Sequence, residues 1–132
     1  MAAPGTGMKN IYREYIDCLN KRDWASLGNF VDDRAMHNDR LLGVAGYRAM
    51  LENDVREIPD LYFKIELLVA DDNIIGSRLR FDVTPIGMFL GLPVNGRQIS
   101  FTENVFYRFA GEKIVHVWST IDKHAIEMQM AQ

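Results

Sequence analysis

The sequence predicts an α+β fold, with N-terminal helices held in the hollow of a curved, mainly antiparallel sheet and a conical pocket between the two layers. Three observations carry this expectation. Helical periodicity comes first in the chain, in three segments up to Ile58. From Leu61 onward the pattern changes to strict alternation, in long stretches separated by turn residues. That order, helices and then strands joined by short turns, is the α+β order. Finally, the strands carry apolar residues on both faces, which suits a sheet with a core on one side and a subunit contact on the other.

The 132 residues suit one domain with one core, and a hydrophobic content of 48% argues for a packed globule over disorder. A single domain is expected over residues 8–132, with the small, glycine-bearing stretch 1–7 as a flexible tail. A net charge of −3 argues against nucleic acid as a partner. No apolar run is long enough to cross a bilayer, and the start lacks the basic and apolar regions of a signal peptide. The lone cysteine, Cys18, leaves no intrachain disulfide to form. A cytoplasmic location is the expectation, with no membrane partner.

The first helix is marked by Met8, Ile11, Tyr12, Tyr15, Ile16 and Leu19 and ends near Lys21. Tyr12 and Tyr15 belong to its packing stripe, and one hydroxyl is a candidate to reach a ligand cavity. Asp23 reads as the N-cap of a short second helix with Trp24, Leu27, Phe30 and Val31 inward. Asp32-Asp33-Arg34 reads as a turn, and Ala35 to Asp39 as a short strand carrying His37, a candidate site residue. Gly43 and Gly46 bracket the start of a third helix, with Gly46 expected at a close backbone contact. Its inward face is Tyr47, Met50, Leu51, Asp54, Val55 and Ile58, all apolar but Asp54, and Pro59 ends it.

Leu61 to Val69 and Ile74 to Thr84 form two strands about the turn Asp71-Asp72-Asn73. On the second, Arg78 and Arg80 share a side with Asp82. They suit an ion network with Asp82 or Glu103, or, at Arg80, a contact to a substrate carboxylate. Pro85 to Arg97 is a glycine-rich loop with an apolar content that includes Phe89. It suits burial under the sheet, a lid over a hydrophobic ligand, or a subunit contact. Gln98 to Phe109 is the next strand, with Glu103 and Asn104 on opposite faces.

The last strand, Glu112 to Asp122, sets Ile114, His116, Trp118, Thr120 and Asp122 on one face by simple alternation. An imidazole, an indole and a carboxylate in one row suit a pocket lining, with Asp122 as its working acid or base. Asp122 also stands where an N-cap of the closing helix would be.

These stretches resemble a known family. The residues that carry the likeness are Gly43 to Met50 in the pattern Gly-x-x-Gly-Tyr-x-x-Met, Pro59-Asp60, Arg80 to Thr84, the loop Gly87 to Arg97, and Gly111 to Asp122 with Gln129. Together they are similar to the SnoaL-like polyketide cyclases of the nuclear transport factor 2-like superfamily. The resemblance implies a cofactor-free intramolecular aldol condensation on a hydrophobic small molecule, in a homodimer. It places the family's general base on Asp122 and a recurrent pocket histidine on His37. A base in such a cavity is strengthened by desolvation, and a donor must hold the enolate oxygen. His37, His116, Trp118 and Asn104 are the candidate donors. Asn95 stands where the family has threonine, and Glu103 where a small or neutral side chain is usual. A ketosteroid-isomerase-like or epoxide-hydrolase-like enzyme, using Asp39 or Glu103, and a non-catalytic binding module are the alternatives, since one scaffold hosts many functions. No metal or phosphate motif is present in the sequence.

Overall fold

In the computed structural model, residues 4–132 are described. Helix α1 runs Pro4–Asn20, so part of the stretch expected as a tail is helical and residues 1–3 lie outside the described residues. Proline suits a first helical turn, where its missing N–H has no intrahelical partner to lose. A 3-10 helix follows at Trp24–Asn29. Asp23 sits at its N-cap, but its carboxylate makes no capping bond, contrary to expectation. Strand β1 (Val31–His37) absorbs the polar Asp32-Asp33-Arg34, which is therefore not a turn. Strand β2 (Arg40–Leu41) returns against β1 across Asn38 and Asp39, both with positive φ.

Helix α2 spans Gly43–Glu57. The close approach expected of Gly46 falls instead on Gly43, where an added Cβ would lie 2.6 Å from the Asp33 carbonyl oxygen. The remaining elements are β3 (Lys64–Asp71), β4 (Ile74–Val83), a small hairpin of β5 (Met88–Phe89) and β6 (Leu92–Pro93), β7 (Ile99–Ala110), β8 (Lys113–Ile121) and α3 (Lys123–Met130). The large sheet has the order β2-β1-β8-β7-β4-β3, antiparallel throughout except for β1 beside β8. The helices pack on one face of this curved, unclosed sheet. Tyr12, Leu19, Leu27, Leu79, Tyr107 and Val117 are among the buried residues between them.

Two register shifts decide which side chains look into the hollow. In the β7–β8 ladder, Arg108 pairs with His116 but Phe109 pairs with Ile114, so Val115 is an extra residue. In the β3–β4 ladder, Ile65 pairs with Leu79 but Leu67 pairs with Arg78, so Glu66 is extra. Each bulge inserts one residue, reverses the alternation beyond it and bends the strand. After Val115, the inward residues of β8 are Val117, Ser119 and Ile121; His116, Trp118 and Thr120 stand on the convex face. The face that simple alternation assigns to the pocket is thus the outer one. After Glu66, likewise, Leu67 and Val69 turn outward and are 58% and 63% exposed.

Helix α3 is fixed at both ends. Asp122 is its N-cap, and its carboxylate accepts from the Ala125 N–H at 3.1 Å. The Gln129 amide accepts from the Ser100 N–H at 2.8 Å and donates to the Ser100 carbonyl at 2.6 Å. That amide pairs with the β7 backbone as a neighbouring strand would.

Candidate active site in the concave face

A cavity of about 420 Å³ opens between α1, α2 and the concave face of the sheet. That size suits a small organic ligand. Its walls are mostly apolar, with Leu19, Met50, Leu51, Phe63 and Val105 among them. A narrower annex of about 70 Å³ lies among Ile58, Leu61, Phe63, Phe81, Phe89 and Phe101. Asp54 and Glu103 line both spaces, so the two carboxylates stand where cavity and annex meet.

Each carboxylate reaches this place by its local structure. Asp54 occupies the inward line of α2 set by Tyr47, Leu51 and Ile58, at spacings of four and three residues. Glu103 lies on the inward alternation of β7 with Phe101, Val105 and Tyr107. Burial raises the Asp54 carboxyl to about 7, and the neighbouring charge of Glu103 adds to the rise. Burial likewise raises Glu103, opposed by the Ser119 hydroxyl, which donates to it. A donor to the ionised form favours ionisation. Ser119 therefore favours the ionised form of Glu103, and a charge there favours the protonated form of Asp54.

Ser119 is itself positioned. Its N–H donates to the Asn38 amide oxygen at 2.8 Å, and its carbonyl accepts from the Asn38 amide nitrogen at 3.2 Å. Asn38 is a turn residue with φ of +45°, a conformation that asparagine tolerates better than most residues. The β1–β2 turn thus sets the serine that holds Glu103.

Of the residues that the sequence suggested, His37 and Tyr15 line the cavity, and Phe89 lines the annex. Burial, with Arg40 nearby, lowers the His37 pKa, so the imidazole favours its neutral form. Its ring lies edge-on to Tyr47, with centroids 6.2 Å apart. The hairpin loop reaches the cavity wall through Leu90.

The others fall elsewhere. Asp122 is exposed and caps α3; it does not line the cavity, although its neighbours Ile121 and Lys123 do. Trp118 is on the convex face, stacked on His116 at 3.9 Å between centroids, with the Arg108 guanidinium 5.5 Å from the indole centroid. Asn104 is also convex and accepts from Arg78 Nε at 3.0 Å. Arg80 pairs loosely there with Glu66 at 3.9 Å and Asp82 at 3.8 Å, as an ion network without Glu103. Tyr12 is fully buried beneath the cavity, donating to the Tyr107 hydroxyl at 3.1 Å. Asp39 lies outside the cavity, 3.7 Å from His116 Nε2. Sequence reasoning passed over Asp54, whose signal was a lone carboxylate on an otherwise apolar helix face.

Among the described residues no three His, Cys, Asp or Glu side chains cluster as metal ligands, and no helix is long and apolar enough to cross a membrane. The bulged sheet and its hollow define an α+β fold of the nuclear transport factor 2-like type, with a two-carboxylate cavity. The chain belongs to the SnoaL-like polyketide cyclase family, whose profile matches residues 9–130. It is 50% identical to a SnoaL-like polyketide cyclase of Agrobacterium tumefaciens, with a TM-score of 0.92 over 93% of this chain and 97% of that one. A candidate polyketide cyclase of Acidithiobacillus ferrooxidans superposes with a TM-score of 0.82 at 20% identity, covering 100% and 99% of the two chains. A candidate hydroxylase of Streptomyces galilaeus does so at 0.76 and 20% identity, covering 96% of each. These two distant likenesses show the fold alone. No curated protein matches the chain.

Proposed function

We propose that this protein catalyses a cofactor-free intramolecular aldol cyclisation of a hydrophobic polyketone, with Glu103 as general base and Asp54 as general acid. The observation that carries the reading is the pair of carboxylates at the meeting of cavity and annex, one held by Ser119 and the other raised to about 7. The Glu103 carboxylate takes a proton from the carbon alpha to a ketone, leaving an enolate. The enolate carbon attacks a second carbonyl of the same molecule, and one carbon–carbon bond forms as that carbonyl becomes an alkoxide. The Asp54 carboxyl gives its proton to the alkoxide. Proton exchange then returns the pair to its starting state. Burial raises both carboxyls, which makes Glu103 a stronger base and keeps Asp54 partly protonated near neutrality, and the cavity walls hold the chain folded for attack.

The same pair also suits a ketosteroid-isomerase-like transfer of one proton between two carbons, in which no carbon–carbon bond forms. The test uses a panel of aromatic poly-ketone methyl esters, with products identified by mass and NMR. Cyclised product from wild type and from Asp122→Asn, with a rate from Glu103→Gln lower by at least about 100-fold, is expected. Full turnover by Glu103→Gln would overturn the assignment, and double-bond migration without ring closure would favour the isomerase.

The convex face supports a homodimer. Leu67, Val69 and Phe106 are exposed and adjoin across Gly76, where an added Cβ would meet the Val69 and Phe106 side chains at 2.9 and 3.1 Å. A contiguous apolar patch on a soluble protein marks a contact surface, and a second copy of this face is its simplest complement.

A further inference from the structure

The proposed reaction needs a donor for the enolate oxygen, and most of the donors suggested by the sequence are on the wrong side of the sheet. His116, Trp118 and Asn104 all stand on the convex face. The cavity lining instead carries three neighbouring tyrosines: Tyr15 from α1, Tyr47 from α2 and Tyr107 from β7. All three are almost fully buried.

Their hydrogens can be counted. The Tyr15 and Tyr47 hydroxyls lie 2.6 Å apart, and either is able to donate. Two phenols own two hydrogens, and one bond between them uses one. One hydrogen of the pair is therefore left over, and both of its possible owners line the cavity. Tyr12 donates to Tyr107, so the Tyr107 hydrogen is also not used in that bond. Tyr12 does not line the cavity, whereas Tyr107 does. No protein acceptor for either remaining hydrogen occurs among the described residues. Two phenolic O–H groups, each polarised by a second phenol, thus remain without a protein acceptor on residues that line the cavity.

We infer that the Tyr15–Tyr47 pair, assisted by Tyr107, is an oxyanion site that holds the enolate oxygen of the substrate. The inference rests on reading the cavity as a site of enolate chemistry, and it adds the electrophilic half that the two carboxylates cannot supply. Burial holds all three phenols well above the usual tyrosine range, so they remain donors at any working pH. The short bond within the pair spreads developing charge over two oxygens, which strengthens each donor. Preorganised donors in a site shielded from water need no reorientation as the charge develops. The ligand class follows: a ketone or phenol whose oxygen reaches the tyrosines while its acidic carbon lies beside Glu103 and Asp54.

The test is an equilibrium one and needs no turnover. Substituted 2-naphthols serve as enolate mimics, and their ionisation is read by absorbance. Binding is measured in Glu103→Gln, so that the base does not repel the anion. Naphthol bound to this protein is expected to ionise at least about one pH unit below its free value, as for an acid beside charge-stabilising donors. Adding Tyr15→Phe and Tyr47→Phe together should remove most of that shift and change the affinity for unsubstituted naphthalene by less than about twofold, since only hydroxyls are removed. Each single substitution should lower the shift in part, which keeps the test open if the double variant does not fold. Persistence of the full shift in the tyrosine variants would overturn the inference. So would an equal loss of naphthol and naphthalene binding, which would mean packing alone. Because Glu103→Gln is the starting protein, a positive result stands even if the cyclisation reading fails, and a negative result leaves that reading intact.

Discussion

The two faces of one sheet differ in what their polar groups have to do. On the concave side, Glu103, Ser119 and the tyrosines are enclosed, each hydrogen-bonded to a neighbour in a place with few alternatives. On the convex side, Arg78, Arg80, Asn104, His116 and Trp118 stack and pair at the surface, and the ion pairs there are as long as 3.8 and 3.9 Å. The convex face looks the more chemical in the sequence, because it has the imidazole, the indole and most of the charge. Enclosure reverses the ranking. A carboxylate in water is an ordinary weak base, whereas one held in an apolar cavity has its pKa raised toward neutrality. What separates the faces in β8 is one bulged residue, Val115.

Deleting Val115 should therefore break the comparison outright. Without the bulge, either the strand beyond it turns over, placing His116 and Trp118 inside and Val117 and Ser119 outside, or the pairing with β7 slips. Both routes bury the wrong side chains, so the variant is expected to be insoluble or to lose cooperative unfolding, as read by near-UV circular dichroism and thermal melts. A variant that folds with an intact melt would mean that the bulge does not set the faces.

Point substitutions sharpen the contrast. Glu103→Gln keeps the shape of the site and removes the proposed base; general-base loss predicts a fall in kcat of about 10²- to 10⁴-fold. Trp118→Phe on the convex face should change kcat less than about twofold, and an equal loss from both would erase the distinction between faces.

Asp54→Asn tests the enclosure itself. An aspartate whose pKa is raised by folding binds more protons folded than unfolded, so its contribution to stability falls as pH rises from about 4 to about 7 and stays low above that. The neutral amide removes this penalty, which is worth at most about 4 kcal/mol and less where water reaches the half-buried group. The variant should melt higher than wild type at pH 8 and match it at pH 4. No gain at pH 8 would place Asp54 in a wetter site than the structure gives it.

Much of this was legible in the sequence, and the losses have a common cause. Helix α2 and the long hairpin of β3 and β4 follow from periodicity and turn residues, which are local signals. Asp54 was visible as the single carboxylate on an apolar helix face, and Glu103 as a carboxylate among Phe101, Val105 and Tyr107. Helical spacing of three and four carries no bulge, so the face containing Asp54 could be read correctly. Strand alternation holds only while the ladder is regular, and no residue near Val115 or Glu66 announces an extra position. Asp122 was ambiguous for a different reason. An N-cap and a catalytic aspartate ask the sequence for the same thing, a carboxylate at the end of a strand. The bond from the Ala125 N–H and the exposed position outside the cavity lining are what favour the cap.

The smallest expected effect lies at that residue. Asp122→Ala removes the side chain that accepts from Ala125, and loss of such a cap costs about 1 kcal/mol. Helix α3 would remain anchored at its other end, because Gln129 still pairs with the Ser100 backbone. The variant should thus melt a few degrees lower while keeping kcat within about twofold, since its carboxylate is outside the cavity. Asp122→Asn should recover most of the melting temperature, because asparagine caps nearly as well as aspartate. That rescue is the discriminating readout. A base cannot be replaced by an amide, so an Asp122→Asn protein with native stability and no activity would return the catalytic role to this strand end. Equal activity in wild type, Asp122→Ala and Asp122→Asn, with a melting temperature lowered only in Asp122→Ala, is the pattern expected of a cap.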